Sequence, residues 1–315
     1  MVAQGMVFAA GCMLASLGAA QERITISLGT ATPGGGFPVY GAAFAETVQE
    51  MDPLLRVEAR NTKGSAENIP LLEAGQLDIG LVQGESVHEA FSGIGRPPAR
   101  LPIVAAMYST PGMFVVRADS PYRSIRDLVG QPIAFGARGS GLPILARYVL
   151  DGIGLDQEKD FRAIWLDRAG DGPAMVQDGR AAALWGGGIG WPGFIAVGKA
   201  PGGARYIGPS AEEIARILAK HTFLRPLTIP AGSYPGQAAP VNSVGSWSFV
   251  LARATLPEEL AYRIARALHR GEAAIAKRLD QARETTLANI FAAAPRPDAL
   301  HPGVMRYLKE AGIAR

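Results

Sequence analysis

From residue 24 to residue 185, short apolar runs alternate with stretches of helical spacing. Ile24–Leu28, Leu55–Arg60 and Ile79–Gln83 read as strands, each bounded by polar or glycine-rich breaks. Between them, Tyr40–Met51 and Ser65–Ala74 carry their apolar residues at helical intervals, and a short helix to Ser92 follows the third strand. Leu101–Met107 and Met113–Arg117 predict two strands flanking Pro111-Gly112. The alternation resumes with Ile133–Gly136 (strand), Leu142–Leu150 (helix), Ala163–Leu166 (strand), Asp171–Asp178 (helix) and Ala181–Trp185 (strand). Strands separated by single helices imply parallel βαβ units and an α/β fold. The C-terminal part differs. Val244–Ala252 is one strand, and helices follow at Pro257–Arg270, onward to Ala282, at Leu287–Ala294 and at Pro302–Ala311. Residues 225–243, rich in Pro and Gly, read as loop.

The N-terminus has a different pattern. Residues 5–20, GMVFAAGCMLASLGAA, are apolar or small, and the first charged side chain is Glu22. At ~1.5 Å per residue this stretch is shorter than a ~30 Å hydrocarbon core. It ends in Gly18-Ala19-Ala20, with small residues suited to a cut after Ala20, so residues 1–20 read as a secretory signal peptide. MVAQ lacks the usual Lys or Arg. The expectation is an exported, periplasmic chain beginning near Gln21. The sole cysteine, Cys12, then leaves with the leader, and disulfides, Cys–metal sites and Cys nucleophiles go with it.

A chain 48% hydrophobic and 19% charged is globular, not disordered. The net charge of +3 comes from basic residues scattered singly, without the stripe that a nucleic-acid partner needs. Catalytic patterns fail on inspection. Gly188-Ile189-Gly190-Trp191-Pro192-Gly193 has the dinucleotide spacing, but Trp191-Pro192 would obstruct a pyrophosphate, and Glu212 opens a helix after Pro209-Ser210 instead of ending a strand. Gly193…Gly198-Lys199 lacks the Ser/Thr of a phosphate loop, since Ala200 follows. His88, His221, His269 and His301 have no metal-ligand spacing, and Arg138-Gly139-Ser140-Gly141 is no nucleophile elbow. The expectation is a binding protein, not an enzyme, with neither metal nor cofactor.

Three glycine-rich segments follow strands and open helices: Thr30–Gly36, Thr62-Lys63-Gly64-Ser65 and Gly136–Gly141. Free backbone N–H groups at such starts bind anions, and in open α/β sheets these loops gather at the carboxyl ends of strands. The segments Leu71–Leu81 and Ala174–Leu184 are also faintly alike, each a helix end, a glycine and a buried strand. Two similar α/β halves, each with a Gly-Ser helix start, are the pattern of a two-lobed cleft.

Asn61–Asn68 followed by Leu71–Gln83, then Val115–Ser120, Ser124–Gln131, Gly139–Gly141, Ala231–Gln237 and His301–Tyr307, resemble the TAXI-type solute receptors of tripartite ATP-independent periplasmic (TRAP) transporters. The resemblance implies a type II periplasmic binding fold with two α/β lobes on a two-strand hinge. Lobe I would span 21–110 plus 245–315, and lobe II 111–244. It implies a monomer that captures a small carboxylate, glutamate-like or an oxo acid, and delivers it to a TRAP membrane permease. The expected ligand contacts are Thr30, Gly35 and Phe37 in the first loop; Lys63, Gly64, Ser65 and Asn68 in the second; Gln83; Arg138, Gly139, Ser140 and Gly141 in the second lobe; and Trp185. Ser65, Ser140 and the N–H groups after Gly64 and Gly139 would hold the carboxylate, with Lys63 and Arg138 as assisting cations. Gly34-Gly35-Gly36-Phe37 and Leu142 depart from the family's more polar pattern and predict a roomier, less polar and more cationic cleft. The competing expectation is the receptor of an ATP-driven importer for an aromatic or sulfonate-type ligand.

Overall fold

The computed structural model describes residues 22–314; the leader, its cut site and Cys12 lie outside them. The first strands are parallel: β1 (Ile24–Gly29) pairs with β2 (Leu55–Arg60) on one side and β3 (Ile79–Val82) on the other. Helices α1 (Gly36–Met51) and α2 (Ser65–Glu73) are the crossovers, and α3 (Gly84–Ser92) follows β3. The chain continues through β4 (Ile103–Arg117), β5 (Pro132–Ala137), α4 (Leu142–Gly152), β6 (Arg162–Leu166), α5 (Gly172–Gln177) and β7 (Ala183–Gly187). Next come α6 (Pro192–Lys199), β8 (Ala204–Ile207), α7 (Ala211–Lys220), β9 (Arg225–Ile229) and β10 (Val241–Ala252). Helices α8 (Glu258–Arg270), α9 (Glu272–Arg278), α10 (Leu287–Ala293) and α11 (Pro302–Glu310) complete it. All ten strands join one sheet, ordered β2-β1-β3-β10-β4-β7-β5-β6, with β8 on β4 and β9 on β10.

Two expectations are corrected. Pro111-Gly112 does not separate two strands; β4 runs through it as one strand of 15 residues. The antiparallel β10 lies beside it, with Gly245 opposite Pro111 and Ser246 opposite Thr110. Proline signals a turn because it gives up a ladder donor, but here Gly188 still donates to its carbonyl. The crossing is tight enough to require glycine. A Cβ on Gly245 would sit 2.0 Å from the Thr110 carbonyl oxygen, and one on Gly112 would meet the Trp185 ring at 2.6 Å. The stretch 225–243 is not all loop either. β9 pairs antiparallel with Val241–Gly245 of β10, and Pro226 is tolerated because β9 pairs on one side only.

The apolar side chains sort into separate cores. One draws on residues 26–108 and 249–314, with Tyr40, Phe44 and Ile264 at its centre. Two others draw on 113–244, around Phe114, Phe135 and Leu145 and around Met113, Leu184 and Phe194. Among the described residues, strands β4 and β10 alone run between the two halves of the sheet. At the far end of α1, Asp52 accepts two hydrogen bonds from the Arg263 guanidinium at 2.8 and 2.6 Å, which hold its carboxyl below the usual range and tie α1 to α8.

Candidate functional site

The glycine-rich loops meet. A cavity of about 50 Å³ lies where the halves of the sheet face each other. From the first half it is lined by Ala31, Thr32, Gly35, Gly36 and Phe37 around the start of α1, by Gly64 and Ser65 at the start of α2, and by Gln83 after β3. From the second half come Gly136 and Ala137 of β5, Ser140, Gly141 and Leu142 at the start of α4, Leu166 at the end of β6 and Ala169 after it, and Gly187 and Trp191. Tyr108 and Thr110 of β4 form part of its wall.

The two halves touch across it. The Ala66 N–H donates to the Gly139 carbonyl at 3.0 Å, and the Ala169 N–H to Thr32 Oγ1 at 3.1 Å. Farther along these helices, Glu89 of α3 accepts from Tyr148 of α4 at 3.0 Å and pairs with Arg147.

Among the described residues, no charged side chain lines the cavity. Gln83 is 4% exposed, yet its Nε2 has no hydrogen-bond partner among the described residues. Burial raises the Tyr108 pKa, so its hydroxyl stays protonated. Helices α2 and α4 begin at the cavity, where the N–H groups of Ser65 and Leu142 find no acceptor within the described residues, as expected of first-turn donors. Ser65 Oγ accepts from the Gln83 N–H at 3.0 Å, so its proton is free to point elsewhere. Ser140 Oγ donates to the Ala137 carbonyl at 2.8 Å and offers a lone pair.

The predicted contacts divide. Gly35, Phe37, Gly64, Ser65, Gln83, Ser140 and Gly141 line this cavity. Lys63, Arg138 and Gly139 do not; they border an adjacent groove of about 210 Å³ with Trp165 and Asp167, where the Arg138 guanidinium lies over the Trp165 ring at 4.9 Å. The two cations expected to assist the ligand therefore border a neighbouring groove and not this cavity. Thr30 faces away, donating to the Arg60 carbonyl at 3.0 Å. Asn68 is fully buried, and its Nδ2 donates to the carbonyls of Gly29, Thr30 and Leu81, clamping three segments. Trp185 belongs to the core, its ring edge-on to Phe114 and its N–H on the Leu142 carbonyl at 2.9 Å.

Tyr108, Thr110, Leu166, Ala169, Gly187 and Trp191 were not among the predicted contacts. Ala169, Gly187 and Trp191 follow the ends of parallel strands, where ligands gather, and Trp191 sits in the very segment whose dinucleotide spacing fails.

The sequence matches the NMT1-like family over residues 28–312. The chain belongs to the NMT1-like family. Solved structures share its fold at low identity. The periplasmic binding protein BugD superposes with a TM-score of 0.58 at 12% identity, covering 92% of this chain and 98% of that one. The aliphatic sulphonate binding protein SsuA from Escherichia coli gives 0.51 at 19%, covering 91% and 83%. The alkanesulfonate-binding protein SsuA from Xanthomonas axonopodis pv. citri, bound to MOPS, gives 0.50 at 17%, covering 92% and 85%. This NMT1-like chain thus has the mixed α/β fold of periplasmic binding proteins. Its cavity chemistry is read from its own residues. Among the described residues no group of His, Cys, Asp and Glu is arranged to hold a metal, and no described helix is long and apolar enough to cross a membrane.

Proposed function

We propose that this NMT1-like protein is an extracytoplasmic receptor that traps a small organic anion between two lobes and delivers it to a membrane permease. The lobes would be residues 22–110 with 245–314, and 111–244, joined at β4 and β10. The observation that carries the reading is that the first-turn N–H groups of α2 and α4, without acceptors among the described residues, meet at one cavity that Gln83 and Tyr108 also line, with no carboxylate among its described lining. Buried donors without acceptors are costly unless a ligand supplies them. An anion answers all of them at once, and helix N-termini favour its charge.

Size narrows the class. One water needs ~10–15 Å³ of such space, so a cavity of about 50 Å³ holds a ligand of only a few heavy atoms. Short-chain carboxylates fit this better than glutamate. The motifs shared with TAXI-type receptors support a TRAP permease as partner. The sulfonate-binding structures of the same fold favour a second reading, an ATP-driven importer for a small sulfonate.

Calorimetric titration of the mature protein with acetate, propionate, pyruvate and methanesulfonate separates the ligand classes. Gln83→Leu is expected to weaken the best of them tenfold or more, since a hydrogen bond to a charged group contributes ~1.5–3 kcal/mol. Binding of none of these anions, or equal binding by Gln83→Leu, would discard the proposal. Uptake assays in vesicles, with an ion gradient or with ATP, then identify the permease class.

A further inference from the structure

A second cavity, of about 400 Å³, shares no lining residue with the first. It opens one residue along from Gln83, at Gly84, and is bounded by α3, by the crossing strand β10 at Ser246–Phe249, by Phe223 and Arg225 at the start of β9, and by residues 292–296 after α10. Its volume lies in the range of ordinary small-molecule sites, ~300–1,000 Å³.

The chemistry of its wall is one-sided. Phe91, Phe223 and Trp247 are half-buried rings that all border the same space. His88 stacks on Phe223 with ring centroids 3.8 Å apart and planes at 6°. Burial lowers the His88 pKa, so the stacked imidazole is neutral. Among the described residues, two guanidinium groups complete the lining, and no carboxylate does. Arg296 lies over the Phe91 ring at 6.0 Å and pairs with Asp298, outside the cavity, at 2.9 Å. Arg225 forms no ion pair among the described residues.

We propose that this cavity is a second ligand site, distinct from the cleft, that takes a small aromatic monocarboxylate. The ring would lie among Phe91, Phe223 and Trp247, which offer faces and edges for aromatic packing. The carboxylate would meet Arg225, whose planar fork suits it. A neutral aromatic would leave that guanidinium unanswered, and an aromatic cation would face two like charges.

Trp247 makes the site readable. 4-Nitrobenzoate quenches tryptophan emission on contact, and titration of the full chain should give saturable quenching. Trp247→Phe should remove most of that saturable signal while Trp165, Trp185 and Trp191 still emit. Arg225→Gln, a change at an exposed side chain, should raise the half-saturating concentration about tenfold, and the neutral analogue 4-nitrobenzamide should bind correspondingly worse. Saturable quenching retained in Trp247→Phe would place the probe elsewhere and overturn the proposal. So would linear, unsaturable quenching, or equal affinity for acid and amide in the parent protein.

Discussion

Glu85→Gln is expected to stabilise the protein strongly at pH 8 and hardly at pH 4.5. Glu85 is fully buried at the start of α3; Oε1 accepts from Ser246 Oγ at 2.7 Å, and Oε2 has no partner among the described residues. Burial is the main cause that pushes its pKa up from 4.5 to about 7; Glu89 adds to the rise, and the hydrogen bond from Ser246 opposes it. Tyr148 of α4 is the other titratable neighbour. In the unfolded chain the carboxyl ionises at its ordinary pKa. Between that value and about 7 the folded protein therefore holds more protons than the unfolded chain. Stability falls as pH rises through this window and levels off above it. At ~1.4 kcal/mol per pH unit the loss is roughly 3 kcal/mol. Glutamine keeps an acceptor for Ser246 and does not titrate, so the variant escapes the loss. At roughly 2–4 °C per kcal/mol for a chain of this size class, the two melting curves should part by several degrees between pH 4.5 and 8. Differential scanning calorimetry across that range checks it. Parallel pH profiles for parent and variant would show that Glu85 does not titrate there.

Glu85 also shows why sequence reading stops where it does. A Glu in the first turn of a helix looks like an ordinary partner of the helix dipole. Its burial depends on elements distant in sequence, among them Ser246 of β10. The same cause separates what was legible from what was not. The alternation of β1 to β3 with α1 and α2 is local and periodic, and it was read within a few residues. The continuity of β4 through Pro111-Gly112, and the existence of β9, depend on pairing with β10, more than a hundred residues from β4. The loops of the cavity were legible because glycine followed by a helix start is a local signature. Which side chains they present was not. Lys63 and Arg138 sit beside Gly64 and Gly139 in sequence, yet their side chains border the neighbouring groove. Tyr108 and Trp191, in turn, reach the cavity only through the crossing of β4 and the turn after β7.

Gly141→Ala is expected to abolish tight binding of the cleft ligand while leaving the unliganded protein folded. Gly141 has φ −76° and ψ −20°, a conformation open to any residue, so alanine brings no backbone strain to its own half. The conflict lies across the cavity. A Cβ there would sit 2.5 Å from Gln83 Cβ and 2.8 Å from Gln83 Oε1. Gln83 Cβ is fixed by the end of β3 and cannot rotate away, so the two halves must separate. Separation breaks the cross-cavity bonds from Ala66 to Gly139 and from Ala169 to Thr32, and the donors no longer converge. Losing two charge-assisted hydrogen bonds at ~1.5–3 kcal/mol each predicts at least a hundredfold loss of affinity. Gly64→Ala is the contrasting case. It has φ +118°, which strains alanine within its own half, and its Cβ would also lie 3.0 Å from Ser140 Cα. It should lose both affinity and melting temperature, whereas Gly141→Ala loses affinity alone. Small-angle scattering completes the test: the parent should contract when the ligand is added, and Gly141→Ala should not. If Gly141→Ala binds as tightly as the parent and contracts equally, closure of the two halves on the ligand is not how this protein works.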